Sequence, residues 1–145
     1  MKFDYKEIHI GSIIKARVED IDTDLERICK FLKTTKDKVE EMYQSKSLDS
    51  DILMRWSKLL EYDFFRIYSQ HLILYAPPSK VDKQAEKKSM LPNFRQSIYT
   101  REVIDFIVEL IETQEKTMPQ IVKEYRIPKS TLHRWTKKYG NLNNG

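Results

Sequence analysis

The segment KSTLHRWTKKY, residues 129–139, holds the densest chemistry in the chain. Lys129, Arg134, Lys137 and Lys138 supply cations, and Ser130, Thr131 and His133 supply further hydrogen-bonding groups; no acid follows Glu124. On a helix Leu132, Trp135 and Tyr139 lie three and four residues apart and share one side. Lys129, Ser130, His133, Arg134 and Lys137 are then directed mostly outward. A cationic face with no carboxylate to neutralise it suits a polyanion. Lysine and arginine hold phosphates, and arginine also forks onto the N7 and O6 acceptors of guanine. This spacing predicts a surface that binds nucleic acid.

Nothing comparable points to catalysis. His9, His71 and His133 are far apart in sequence, and none has a companion at metal-ligand spacing. Phosphate-cradling GxxxxGK[ST] loops, GxSxG elbows and GxGxxG turns are absent from the sequence. Two-metal nucleic-acid enzymes need carboxylates converging on a mixed sheet, whereas the acids here fall on predicted helix surfaces. The expectation is a protein that is not an enzyme and has no cofactor and no metal.

The elements that must position the basic face follow from apolar periodicity. The 145 residues contain only three glycines, and helical spacing dominates. Successive apolar stripes are Ile10, Ile13, Ile14 and Val18; Leu25, Ile28, Cys29 and Leu32; and Val39, Met42 and Tyr43. Ile52, Leu53, Trp56, Leu59 and Leu60 form a fourth, and Phe64, Phe65, Tyr68 and Leu72 a fifth. Thr23 with Glu26 and Thr34 with Asp37 have capping-box spacing, and Asp49 or Ser50 is placed to cap the fourth helix. Ala76-Pro77-Pro78 ends this block. Residues 79–97, SKVDKQAEKKSMLPNFRQS, read as a polar basic linker, either a solvated spacer or an arm reaching phosphates through Lys83, Lys87 and Lys88. Beyond it, Val103, Ile104, Ile107, Val108 and Ile111 give a helix opened by Thr100, Ile121, Val122 and Tyr125 a short one, and Pro128 begins the last. The predicted fold is all-α, with a five-helix module at 1–76, a linker at 77–97 and a three-helix module at 98–145.

Net charge is +4 with a pI near 9.0, and the basic excess lies beyond residue 76, since acids slightly outnumber bases before it. The lone Cys29 rules out an internal disulfide and suits a reducing compartment. The start MKFDYKEIHIG is unlike a signal peptide, and no apolar run reaches the roughly 18 residues of a membrane span. A cytoplasmic protein without a membrane partner is expected.

Helix, short helix, tight turn and basic helix together make a helix-turn-helix. MPQIVKEYRIPKSTLHRWTKKYG, residues 118–140, resembles the helix-turn-helix of transposase-associated small proteins of insertion sequences and of resolvase-type recombinases. Ile127, Ser130, Thr131, Leu132, Arg134, Trp135, Lys137, Lys138 and Tyr139 carry the resemblance. Arg126 replaces the usual turn glycine, and Pro128 the usual serine cap. The resemblance implies sequence-specific binding of double-stranded DNA. Lys129, Ser130, His133 and Arg134 are expected at base edges, and Thr131, Lys137, Lys138 and Tyr125 at phosphates.

The first block resembles the five-helix DNA-binding domain of lambda-repressor-like regulators. ICKFLKTTKDKVEEMYQSK, residues 28–46, puts Val39 and Met42 at core positions of the recognition helix and Lys46 just after it. Lys33 replaces the turn glycine and Leu25 the usual glutamine. Lys36, Lys38, Lys46, Lys87 and Lys88 are candidate additional DNA contacts, though Asp37, Glu40 and Glu41 share the groove-facing side of 36–44. Tyr62, Phe64, Phe65, Tyr68, Leu72 and Tyr75 exceed the needs of one small helix and suggest a homodimer face. Two readings stay open: a DNA-binding regulator or transposable-element component, and a protein-interaction or dimerisation adaptor with secondary DNA or RNA binding.

Overall fold

The computed structural model describes residues 3–76, 90–92 and 99–140. Among these residues every regular element is an α-helix: α1 (Ile10–Ile21), α2 (Leu25–Leu32), α3 (Lys36–Gln44), α4 (Ser50–Leu60), α5 (Phe65–Tyr75), α6 (Arg101–Glu112), α7 (Met118–Tyr125) and α8 (Lys129–Tyr139). The fold is all-α, as the apolar periodicity indicates.

One compact unit comprises Asp4–Tyr68. Its core unites Ile10 and Ile14 of α1, Ile28 and Leu32 of α2, Val39 and Tyr43 of α3, and Leu53, Trp56, Leu59 and Leu60 of α4, closed by Phe64 and Ile67. Trp56 is fully buried; its Nε1 donates to Met42 Sδ at 3.3 Å and its ring lies 6.0 Å from that of Tyr43. Helix α1 meets the end of α3 directly. Ile10 N donates to Lys46 O and Gly11 N to Ser45 O, each at 3.0 Å. Two amides that an α-helix leaves without internal partners are thereby satisfied by carbonyls at the other helix's end. A Cβ on Gly11 would stand 2.2 Å from Met42 O and 2.5 Å from Tyr43 O, which explains a glycine in a helix's first turn. Arg17 ties α1 to the end of α4, its Nη2 donating to Leu60 O at 3.1 Å.

Three helix ends here use left-handed residues that are not glycine. Asp22, Lys33 and Glu61 have φ of 51°, 53° and 50°. After each, the next amide closes the turn: Thr23 N to Val18 O, Thr34 N to Cys29 O, Tyr62 N to Ser57 O. This is the Schellman pattern, and it corrects the expected caps. Thr23 and Thr34 close the preceding helices, so the caps of α2 and α3 are Asp24, accepting from Glu26 N, and Thr35, accepting from Lys38 N. Asp49 does occupy the N-cap of α4, without a side-chain bond.

The other compact unit gathers the described residues from Ser69 onward, together with Phe3. The division between the two units falls inside α5, between Tyr68 and Ser69. The last turns of α5 bury Gln70 and Leu74, Thr100 Oγ1 donates to Gln70 Oε1 at 3.4 Å, and the Tyr75 ring meets that of Tyr125 at 5.9 Å. Of the expected stripe, Phe64 is in the first unit's core and Phe65 and Tyr68 pack against it, whereas Leu72 is 58% exposed and the buried positions further along α5 are Ile67, Gln70 and Leu74. Likewise Leu25, expected in the α2 core, is 38% exposed. Helix α6 is apolar over most of its circumference: Val103, Phe106, Ile107, Val108 and Leu110 are all buried. It packs against α8, and α8 packs against α7.

Two expectations follow. Gly11→Ala, which would favour an isolated helix, is expected to lower the stability of the first unit by about 3 kcal/mol in urea unfolding, through backbone collision. Leu74→Ala is expected to cost about 2–5 kcal/mol and to accelerate amide hydrogen exchange in α6–α8 while leaving α1–α4 unchanged.

Candidate nucleic-acid interface

Helix α7 is started by a reciprocal capping box. Gln120 N donates to Thr117 Oγ1 at 3.3 Å, and Thr117 N to Gln120 Oε1 at 2.8 Å. It ends at Arg126, with φ 55° and ψ 36°, so the residue standing where the resemblance puts glycine does take the left-handed conformation, at roughly 1 kcal/mol. Ile127 is fully buried and pins the three-residue turn. Pro128 stands at the N-cap of α8 with φ −58°, and no side chain caps that end. Leu132 N donating to Pro128 O at 3.1 Å begins the helix.

Leu132 and Trp135 point inward, at 0% and 5% exposure. The Tyr99 ring meets Trp135 edge-on at 5.1 Å, a favourable aromatic geometry. Tyr139 is half-buried beneath the Arg101 guanidinium, 4.1 Å from the ring centroid. Arg101 also bonds Asp105 at 3.0 Å and so is already engaged.

Helical spacing then sets Lys129, His133 and Lys137 in one column and Ser130, Arg134 and Lys138 in the next. All six are exposed, and Thr131 is half-buried at the margin. Among the described residues none of the four cations is in an ion pair. All seven residues singled out in this stretch therefore belong to one helix, with six on its solvent side. Tyr125 does not join them. It is 4% exposed, with its phenol hydrogen-bonded to Tyr75, because its position on the short α7 faces the core.

The first unit repeats the local plan with opposite charge. Helix α2, a three-residue turn opening on left-handed Lys33, and α3 match α7, the Arg126 turn and α8. Yet Asp37, Glu40, Glu41 and Gln44, spaced along one side of α3, line an open depression with Ser45. Lys36 and Lys38 are exposed beside these carboxylates. Lys46 lies past the helix end, 3.9 Å from Glu7. Lys83, Lys87 and Lys88 lie outside the described residues. Of the six residues of the suggested homodimer face, Phe64 is in the core, Phe65 and Tyr68 pack half-buried against it, and Tyr75 packs on Tyr125, which leaves Tyr62 and Leu72 as the exposed members.

Among the described residues no three His, Cys, Asp or Glu side chains converge as a metal site would require, and no helix is long and apolar enough to cross a membrane. Comparison with protein-family models, with curated proteins and with solved structures finds no match.

Three phenols are held above the ordinary tyrosine range: Tyr43, Tyr68 and Tyr125. Burial is the main cause in each; Glu40, Cys29 and Glu19 add to it at Tyr43, while at Tyr125 the bond with Tyr75 opposes it and Glu124 adds. A raised folded-state value stabilises the fold fully below the unfolded value of about 10, and that contribution is lost as pH rises through the folded value. Phenolate absorbance in an alkaline titration is expected to show a late-ionising fraction that shrinks in Tyr43→Phe and Tyr125→Phe. A single early wave in the folded protein would contradict the burial of these rings.

Proposed function

We propose that this protein binds double-stranded DNA sequence-specifically through α8, as a regulator or as the DNA-recognition component of a transposable element, with no catalysis of its own. The observation that carries the reading is the division of α8 into an inward Leu132–Trp135 side and an outward, unneutralised cationic side. A helix preceded by a three-residue turn and a shorter helix suits the B-DNA major groove, about 12 Å wide. The deep, narrow major groove of duplex RNA does not admit one. Lys129, Ser130, His133 and Arg134, on the first turns, are assigned to base edges. Lys137 and Lys138, with Thr131 at the margin, are assigned to phosphates, where they fix register without reading sequence.

The acidic side of α3 favours a different task for the first unit. Carboxylates facing a phosphate backbone are repelled, so Asp37, Glu40 and Glu41 weigh against groove entry by α3 despite Lys36, Lys38 and Lys46 nearby. Contact with a protein partner or a second copy of the chain is the reading that this charge favours for the first unit.

Arg134→Ala is expected to weaken specific binding by about 1–3 kcal/mol and to relax preference at one base pair. Lys137→Ala is expected to weaken binding to all duplexes and to lower the slope of log affinity against log salt by about 1. Fluorescence anisotropy over a salt series measures both. Unchanged affinity in both variants would remove the assignment.

A further inference from the structure

The exposed side of α8 is almost entirely a hydrogen-bond donor. Lys129, Arg134, Lys137 and Lys138 only donate, and Ser130 and His133 are its exposed groups able to accept as well. Between Lys129 and Tyr139 the sequence has no Asn, Gln, Asp or Glu. The methyl-bearing Thr131 and Thr136 are half-buried.

The four bases make different demands in the major groove. Adenine pairs an acceptor with a donor and is read in bidentate fashion by a carboxamide, which α8 lacks. Cytosine presents a donor and calls for a carboxylate, also lacking. Thymine is distinguished by a methyl group, which favours an exposed apolar contact. Guanine alone presents two acceptors, N7 and O6, to which a guanidinium fork is matched. Helix α3 is the internal contrast, since its outward Asp37, Glu40, Glu41 and Gln44 bring acceptors instead.

Resting on the reading of α8 as the DNA-contacting helix, we infer that the target site is defined by guanine recognised through its N7 and O6, with Arg134 as the selecting residue. Arg134 is exposed, in no ion pair among the described residues, and one turn from the start of the helix.

The test uses the full chain. Bound duplexes are selected from a random pool, and each guanine of the enriched sequence is then replaced by 7-deazaguanine, which keeps Watson–Crick pairing but removes the N7 acceptor. The expected result is an enriched site containing at least one guanine at which this replacement weakens binding about 5- to 150-fold. The same replacement is expected to have no effect on binding by Arg134→Ala. Because a carboxylate reading cytosine also enriches G·C pairs, Glu40→Gln with Glu41→Gln serves as the control and is expected to leave the replacement's effect intact. An enriched site of A·T pairs only, a neutral replacement at every guanine, or an effect that persists in Arg134→Ala overturns the inference. Tight binding without any enriched sequence also overturns it while leaving DNA binding in place; absence of salt-sensitive binding to every duplex removes the underlying reading itself.

Discussion

The rotation of α8 about its own axis depends on Trp135. Successive residues of a helix are about 100° apart, so which side chains meet solvent is decided by which one is anchored. The indole, edge-on to Tyr99, and the fully buried Leu132 together leave one orientation. In it both columns, Lys129–His133–Lys137 and Ser130–Arg134–Lys138, face outward. Rotating the helix by one residue position would carry lysine or arginine toward the core, where an unpaired charge costs several kcal/mol. Ile127, Tyr139 and the Arg101 guanidinium reinforce the same setting from the two ends of the helix.

The turns show packing overriding local preference. Asp22, Lys33, Glu61, Gln114 and Arg126 all have positive φ, while neither described glycine does. Each such residue strains the backbone by roughly 1 kcal/mol, yet the alternative would unseat buried neighbours. At Lys33 the geometry aims Thr34 N back at Cys29 O and leaves Thr35 to start α3. At Arg126 it lets Ile127 enter the core and Pro128 begin α8. Glycine is kept where no substitute fits, as at Gly11 beneath the carbonyls that close α3.

Two segments of the chain, each a helix, a three-residue turn and a second helix, thus share a local backbone plan and differ in charge. Helices α2 and α7 have the same length, and both turns are three residues long with a basic left-handed residue first. Fold alone does not assign function to either. The side chains on the outward faces distinguish them: carboxylates and a carboxamide on α3, ammonium, guanidinium and imidazole groups on α8.

Much of this was legible in the sequence, for local reasons. Apolar spacing of three and four residues marked each of the eight helices among the described residues, because an amphipathic helix must bury one stripe wherever it packs. The same periodicity placed Leu132 and Trp135 inward and left the basic residues out, so the character of the α8 face was set by composition and local geometry. Less local properties were not legible. Threonine followed by an acid three residues on looks the same whether it caps the next helix or closes the last one, so the starts of α2 and α3 were each displaced by one residue. Tyr125 looks like a polar-tipped surface residue until Tyr75 takes up its hydroxyl. The outward rotation of Leu72, and the assignment of Gln70 and Leu74 to the second unit, arise because two apolar stripes overlap on α5 and only packing selects between them. The sequence by itself determined the helices and the sign of charge on each face. Tertiary structure decided which helix end is strained, which aromatic is enclosed, and where one compact unit gives way to the next, because those depend on neighbours distant along the chain.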